Sequence, residues 1–292
     1  MQASILIVSK DRKQELERTL LLLETLICLA EHEVLVFLDG CADQSHLLKK
    51  IFPWVKWYDA QKSIGASAAR NLLYAKATGT FLIGLDDDAH PLNADFIALT
   101  KAIFEDYPTV GILAFQEIKG IFNSDQEALV YKKSVREEYF TNDFIGCGFA
   151  IKKIVYDATN GFPLWVDIYG EESCVSIEVL SKGFDILYTN RIAVNHRVDR
   201  IARKMAGRNY FRFGKQLKNS TYYFLVYYPI PFANILKLYL HNFRKYALSD
   251  YKYFLIFFKT MWVVFLNLPK VLKHRMPVEK RLLDKMRALK GL

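Results

Sequence analysis

Short apolar runs alternate with helical patterns through the first half of the chain. Residues 3–8 (ASILIV), 34–38 (VLVFL), Trp54–Tyr58, 80–85 (TFLIGL) and a run near 110–115 read as strands, the first of them buried. Between them lie helical patterns: a D-x-x-Q start at Asp11 and Gln14 running through leucines to Leu29, then residues 45–52, residues 66–77 stopped by Gly79, and a stretch near 94–106. A further strand falls at G-C-G-F-A-I-K-K, followed by a helix over Glu171–Ser181 and an apolar run at 184–188. After His196 the pattern changes to long aromatic-rich helices broken by Pro229, Pro231 and Pro269. Alternating strands and helices predict an α/β fold, with a mainly parallel sheet covered by helices on both faces. Ligands in such sheets bind beyond the carboxyl ends of the strands. The change of pattern places a soft boundary between residues 1–200 and residues 201–292.

Composition sharpens that boundary. The chain has 292 residues, 52% hydrophobic and 24% charged, with only 14 Gly and 8 Pro, which excludes disordered, collagenous and low-complexity classes. Its net charge of +9 hides an asymmetry. Residues 1–196 carry 19 Lys/Arg against 27 Asp/Glu, net −8, and residues 197–292 carry 21 against 4, net +17. In the basic part, Arg203, Lys204, Arg208, Arg212, Lys215 and Lys218 are interleaved with aromatics. Basic residues beside Tyr, Trp and Phe suit the headgroup boundary of an anionic membrane, and a contact between subunits is the alternative. The most apolar segment, 253–268, is short for a membrane span and is interrupted by Lys259, so a buried helix competes with a spanning one. Four scattered cysteines without a C-x-x-C pair argue against a disulfide framework or zinc site and fit a reducing compartment. The N-terminal apolar run is too short for a signal peptide, so the expected location is cytoplasmic, peripheral on the inner face of the cell membrane.

The chemistry-bearing residues sit at strand ends. Asp86, Asp87 and Asp88 close an apolar strand, where three like charges need a neutralising cation. A divalent metal takes carboxylate oxygens at such sites, and in an extended segment Asp86 and Asp88 share a side. A solvated loop leading into a helix start is the bland reading of the same run. Asp39 ends V-L-V-F-L-D-G-C-A-D, where it could accept hydrogen bonds from a nucleobase or ribose, or make an Asx-type turn. In Ser63–Asn71, small residues precede Arg70, which can pair with a phosphate or an aspartate. Neither G-x-G-x-x-G nor a P-loop is present. Glu171 and Glu172 open a helix, as dipole partners or as a general base, and His196 ends an apolar strand as a structural residue or a metal ligand.

Together these motifs resemble family 2 glycosyltransferases of the GT-A fold, over roughly residues 3–200. I-L-I-V-S-K-D-R looks like the first strand and the turn meeting the nucleotide, V-F-L-D-G-C-A-D the second strand end, and G-A-S-A-A-R-N the G-x-x-x-A-R-N helix. L-D-D-D-A resembles the D-x-D motif, Y-G-E-E-S the later acidic motif, and V-N-H a late metal-binding histidine. The resemblance implies inverting transfer of a sugar from a nucleotide-diphosphate donor to a hydroxyl, assisted by a divalent metal, Mn or Mg. It assigns Ser9, Arg12, Asp39, Arg70, Asp86 and Asp87 to the donor side, and Asp86, Asp88 and His196 to the metal. It makes Glu172 the base, with Glu171 as alternate; the family usually carries Asp at the position of Glu172, and often another acid at that of Cys174. Rhamnosyl- and galactofuranosyltransferase-like members have comparable basic tails, which implies a glycan or polyprenyl-linked acceptor in cell-envelope polysaccharide synthesis and no nucleic-acid partner. A nucleotidyltransferase releasing pyrophosphate and a non-catalytic nucleic-acid binder are the rival classes.

Overall fold

The first strand, β1 (Ala3–Ser9), is apolar at nearly every position because both of its faces are covered. With β2 (His32–Asp39) it divides its residues by the two-residue period of a strand. Ile5, Ile7, Val34, Val36 and Leu38 face one core, beneath α1 (Lys13–Leu26) and α4 (Phe96–Asp106). Leu6, Leu35 and Phe37 face the other, beneath α3 (Ala66–Tyr74) and α7 (Glu171–Ser181). The remaining strands are β3 (Lys56–Ala60), β4 (Phe81–Asp86), β5 (Ala89–Pro91), β6 (Val110–Lys119), β7 (Glu138–Thr141), β8 (Gly148–Lys152) and β9 (Asp185–His196). Short helices α2 (Leu48–Ile51), α5 (Asp125–Leu129) and α6 (Lys153–Asp157) lie between them. This computed structural model describes every residue except 200, 202–204, 206 and 290. Arg203 and Lys204 of the basic stretch therefore lie outside the described residues.

The nine strands form one sheet in the order β3-β2-β1-β4-β8-β6-β9-β5, with β7 also paired to β9. β1 to β4 are mutually parallel, β8 runs antiparallel between β4 and β6, and β6 and β9 are parallel. β1, β2, β4, β6 and β9 thus all point to one rim, where Ser9, Asp39, Asp86, Glu117 and His196 lie at or near their ends. The fold is the α/β arrangement that the alternating pattern predicts.

Several boundaries differ from that pattern. Asp11 does not cap α1: it sits at φ 52° and accepts the Ala42 N–H, whereas Asp43 accepts the Lys13 N–H at 2.7 Å. α1 ends at Leu26 rather than Leu29, and α3 ends at Tyr74. β3 begins two residues later than Trp54, while β6 and β9 run on to Lys119 and His196. β5, β7, α5 and α6 carry no periodic signal of their own, since each is only three to five residues long.

Beyond β9 lie α8 (Tyr210–Tyr227), α9 (Phe232–Lys245), α10 (Tyr251–Leu272) and α11 (Lys280–Ala288). Pro229 and Pro231 separate α8 from α9, but Pro269 stands inside the last turns of α10 rather than breaking it. Tyr222, Val226 and Tyr227 of α8 and Val264 and Val271 of α10 share a core with Val166, Cys174 and Ile177 beside and on α7. Tyr227 donates its hydroxyl to Glu178 at 2.6 Å. Among the described residues α10 is the one helix long and apolar enough to cross a bilayer, yet it is neither deeply buried nor free: 22% of its apolar window is buried.

At the amino-terminal edge of the sheet one carboxylate joins four segments. Glu33 accepts from Ser4 Oγ (2.5 Å), Thr78 N (2.7 Å), Thr78 Oγ1 (2.8 Å) and Lys56 Nζ (2.5 Å). Burial works against its charge, but these donors outweigh burial and hold the carboxyl at about 2, below its ordinary 4.5. A carboxyl depressed in the folded state stabilises fully above its unfolded pKa and loses that contribution as pH falls. Glu33→Gln is expected to cost about 1–3 kcal/mol at neutral pH. In urea unfolding, the gap between wild type and variant is expected to be constant above pH 5 and to close between about 4.5 and 2.

Candidate functional site

The strand-end rim and the start of α7 meet around Arg70, a buried guanidinium on α3. Its Nη2 donates to Asp86 Oδ1 at 2.8 Å, and its Nη1 to Glu172 Oε1 at 3.0 Å and Glu171 Oε1 at 3.2 Å. Burial disfavours the Arg70 charge, but Glu172, Asp86 and Glu171 outweigh it and raise its pKa. Its plane also lies over the Phe162 ring, 5.5 Å from the centroid.

The two glutamates differ in access. Glu171 is buried, and its Oε2 has no hydrogen-bond partner. The Glu172 side chain is 20% exposed. Burial, and then the neighbouring Glu171, push the Glu172 carboxyl up, against the pull of Arg70. A raised carboxyl that still reaches solvent is suited to accept a proton near neutral pH. Gly146 permits this arrangement: a Cβ there would lie 2.4 Å from Glu172 Oε1 and 2.8 Å from Arg70 Nη2.

The aspartate run splits. Asp86 stays at the end of β4, while the turn that follows sends Asp87 and Asp88 to separate partners. Asp87 is buried and accepts from Ser9 Oγ at 2.7 Å, with Arg12 Nε 3.3 Å away. Burial pushes its carboxyl up to about 7 in spite of these partners. Ser9 and Asp87, expected to meet the donor, are thus committed to each other. Arg12 also donates to Asp88 Oδ2 at 2.7 Å and keeps a part-exposed side chain.

Asp86, Asp88 and His196 each offer a ligand atom within 4.8 Å of the others. His196 Nε2 lies 3.3 Å from Asp88 Oδ1, and its Nδ1 lies 2.5 Å from Glu117 Oε1. Burial pushes the Asp88 carboxyl up, but His196 and Arg12 outweigh it and hold it at about 2. Burial likewise disfavours the imidazolium, yet Asp88 and Glu117 raise His196 to about 9. Two hard carboxylates and an imidazole form a donor set that fits a divalent cation. The three residues the sequence suggested for a metal are therefore together in space.

Asp39 is buried, and its carboxylate accepts from Ile64 N (2.6 Å), Ser63 Oγ (2.7 Å) and Gly65 N (3.1 Å). It makes no Asx turn; Asp43 does, accepting the Ser45 N–H at 3.1 Å. Gly40, at φ 64°, permits the close approach, because a Cβ there would meet Ser63 N at 2.3 Å.

Glu117 and Gly146 do not stand out in the sequence. Glu117 sits mid-chain in a strand of ordinary pattern, and only the parallel pairing of β6 with β9 brings it to His196. Gly146 carried a signal, a glycine flanking Cys147 and Gly148 before a strand, but no local rule ties it to Glu172.

No protein-family profile matches the chain, and no curated protein matches it in sequence. Solved structures do resemble it. A mannosyltransferase from Pyrobaculum calidifontis, PcManGT, in complex with GDP-Man and Mn2+, superimposes with a TM-score of 0.59 at 16% identity, covering 98% of this chain and 83% of that one. TarS 1-349 of S. aureus gives 0.54 at 15% identity over 68% of this chain and 60% of that one. GalNAc-T7 with UDP, GalNAc and Mn2+ gives 0.53 at 19% identity over 68% and 44%. The chain thus spans less than two thirds of the last two. These likenesses establish the GT-A fold.

A carboxylate that hydrogen-bonds a ligating histidine typically changes metal affinity 10- to 100-fold. Glu117→Ala is accordingly expected to raise the Mn2+ concentration for half-maximal thermal stabilisation by about that factor. An unchanged Mn2+ midpoint would remove Glu117 from the site.

Proposed function

We propose that the protein is a metal-dependent inverting glycosyltransferase, moving a hexosyl or deoxyhexosyl group from a nucleotide-diphosphate donor to a hydroxyl. One observation carries the reading: Arg70 ties Asp86, a member of the Asp86–Asp88–His196 group, to Glu172, the more accessible of the two paired acids. A cation-binding set and a base held by one guanidinium have the arrangement that sugar transfer needs. The neighbours support it, since PcManGT and GalNAc-T7 are described with Mn2+, and TarS with UDP-GlcNAc in a further structure.

In this reading Asp86, Asp88 and His196 hold a divalent metal, with Mn2+ favoured over Mg2+ by the imidazole. When bound, it supplies Lewis-acid stabilisation to the departing diphosphate. Glu117 fixes the His196 ring so that Nε2 faces Asp88. Arg70 keeps the carboxylates from repelling one another and holds Glu172 in place. Glu172 accepts the proton from the acceptor hydroxyl as that oxygen attacks the anomeric carbon opposite the diphosphate; a single displacement inverts the centre. Glu171, buried and paired to Arg70, orients the start of α7 rather than serving as base. Asp39, Ser9 and Asp87 act on the donor side by shaping the 63–65 loop and the 86–88 turn, while Arg12 reaches the cleft itself.

Beside the first turn of α7, a cavity of about 330 Å3 is lined by Asp143, Ser173, Asn219, Tyr223 and Arg287 among others. Glu172 is not among the lining residues, but Gly170 and Ser173 flank the two glutamates in the chain, and on that proximity we propose this face for the acceptor. In this reading the acceptor is a glycan or polyprenyl-linked hydroxyl, and the cavity draws its lining from both residues 1–200 and residues 201–292. We place the protein in the cytoplasm, at a surface that supplies such acceptors, in cell-envelope polysaccharide synthesis.

A thermal-shift panel of nucleotide sugars, with and without Mn2+ or Mg2+, tests the donor. The true donor is expected to raise the midpoint most with its metal. Asp88→Asn should abolish that metal-dependent increment and reduce transfer at least about 100-fold, and Glu172→Gln should keep the increment but lose transfer to a similar extent. Release of a nucleoside diphosphate supports sugar transfer; release of pyrophosphate from a nucleoside triphosphate would replace it with nucleotidyl transfer.

A further inference from the structure

We propose that α9 and α10 form a docking surface for an anionic lipid bilayer, with α10 lying in the plane of the headgroups. The proposal stands on the C-terminal helices alone and does not depend on sugar transfer.

α10 is divided lengthwise into three sectors. Tyr253, Phe257, Thr260, Val264 and Val271 face inward, against α8 and the core it shares with α7. Phe254, Leu255, Phe258, Trp262, Phe265 and Leu266 recur at helical spacing on the opposite side, and all are exposed, Trp262 and Phe265 by 60% and 64%. Lys252, Lys259 and Lys270 follow at intervals of 7 and 11 residues, which places them in one row on the shoulder of that stripe. None of the three is in an ion pair among the described residues; the Lys252 ammonium lies over the Tyr210 ring, 5.7 Å from its centroid. The stripe runs about 20 Å along the helix. Its exposed rings alone leave on the order of 500 Å2 of apolar surface, as much as the largest patch on an ordinary monomer.

α9 widens the surface. It buries no residue, and Phe232, Leu236 and Leu240 line its exposed side at i, i+4 and i+8. The Phe243 ring lies 6.3 Å from Phe254 and 6.4 Å from Phe258, joining the two helices edge to edge. Residues 229–275 carry eight Lys/Arg and one acid, Asp250, which is already paired with Arg208.

That distribution selects the occupant. An apolar stripe bordered by lysines that no carboxylate neutralises matches a surface that is apolar inside and negatively charged at its boundary. A second copy related by two-fold symmetry would bring the same basic rows together. Crossing the bilayer would require α10 to leave the core that its inner face completes, and would carry Lys259 to mid-membrane. Not all of the basic tail takes part: Lys215 and Lys218 are bound to Asp167, and Arg212 lies over the Tyr169 ring.

Cosedimentation of the full chain with vesicles of phosphatidylcholine, alone or mixed with phosphatidylglycerol, tests the proposal. Binding is expected only to the anionic vesicles, weakening as salt rises. Phe265→Glu with Leu266→Glu should lower it at least tenfold, and exchanging Lys252, Lys259 and Lys270 for Gln about fivefold per lysine. These positions are exposed, so unchanged thermal midpoints should accompany both losses. Replacing Trp262 by Phe should remove the blue shift in tryptophan fluorescence that vesicles induce. A wild-type protein that stays in the supernatant, or glutamate variants that bind as well as wild type, would overturn the proposal. So would a dimer that the same variants dissolve, which assigns the face to a second copy, or binding of a single-stranded RNA oligonucleotide in place of vesicles.

Discussion

The structure depends on one buried guanidinium. Arg70 sits where β4 delivers Asp86 and where α7 begins with Glu171 and Glu172, so three carboxylates converge on it. Without it, these acids would repel one another in a site that excludes much of the water able to screen them. The guanidinium allows Asp86 and the Glu171–Glu172 pair to share one cleft, and it ties α3, β4 and α7 together. The small residues of α3 serve the same end: Ala69 is buried against the sheet, and Ser67 donates its hydroxyl to Pro163 at 2.6 Å. That close packing sets the depth at which Arg70 lies.

A second network faces it across the rim. Ser9 and Asp87 bond each other, Arg12 reaches Asp87 and Asp88, and His196 bridges Asp88 to Glu117. Consecutive aspartates therefore have different fates: Asp87 anchors the turn to β1, and Asp86 and Asp88 remain at the rim. Parallel strand ends make this convergence possible, because β4 and β9 stop at the same edge of the sheet although 110 residues separate Asp86 from His196.

The sheet and the cluster of Asp86, Asp88 and His196 were legible in sequence for a physical reason. Strands covered on both faces are mostly apolar, so acids at their ends stand out, as Asp39 and Asp86–Asp88 do. Pairing across the sheet is not written locally. Glu117 gains its meaning from register with β9, and Gly146 from the absence of an atom beside Glu172. Asp39 was legible as a strand-end acid, but its three donors come from a loop whose course depends on Gly40. The basic region shows the same limit. Charge counting could not separate Lys215 and Lys218, consumed by Asp167, from the lysines of α10 that no carboxylate neutralises.

Asp167 has a wider consequence. It lies four residues before Glu171, and besides the two lysines it accepts from Asn219 Nδ2, which also donates to the carbonyls of Ile168 and Tyr169. The approach to α7 is thus laced to the middle of α8 by charge as well as by hydrogen bonds. A chain ending at residue 200 would strand that carboxylate, leave Glu178 without its tyrosine and bare the apolar side of α7 to water. The apparent seam in composition is not a seam in mechanics, and the acidic helix is held from behind by the most basic part of the protein.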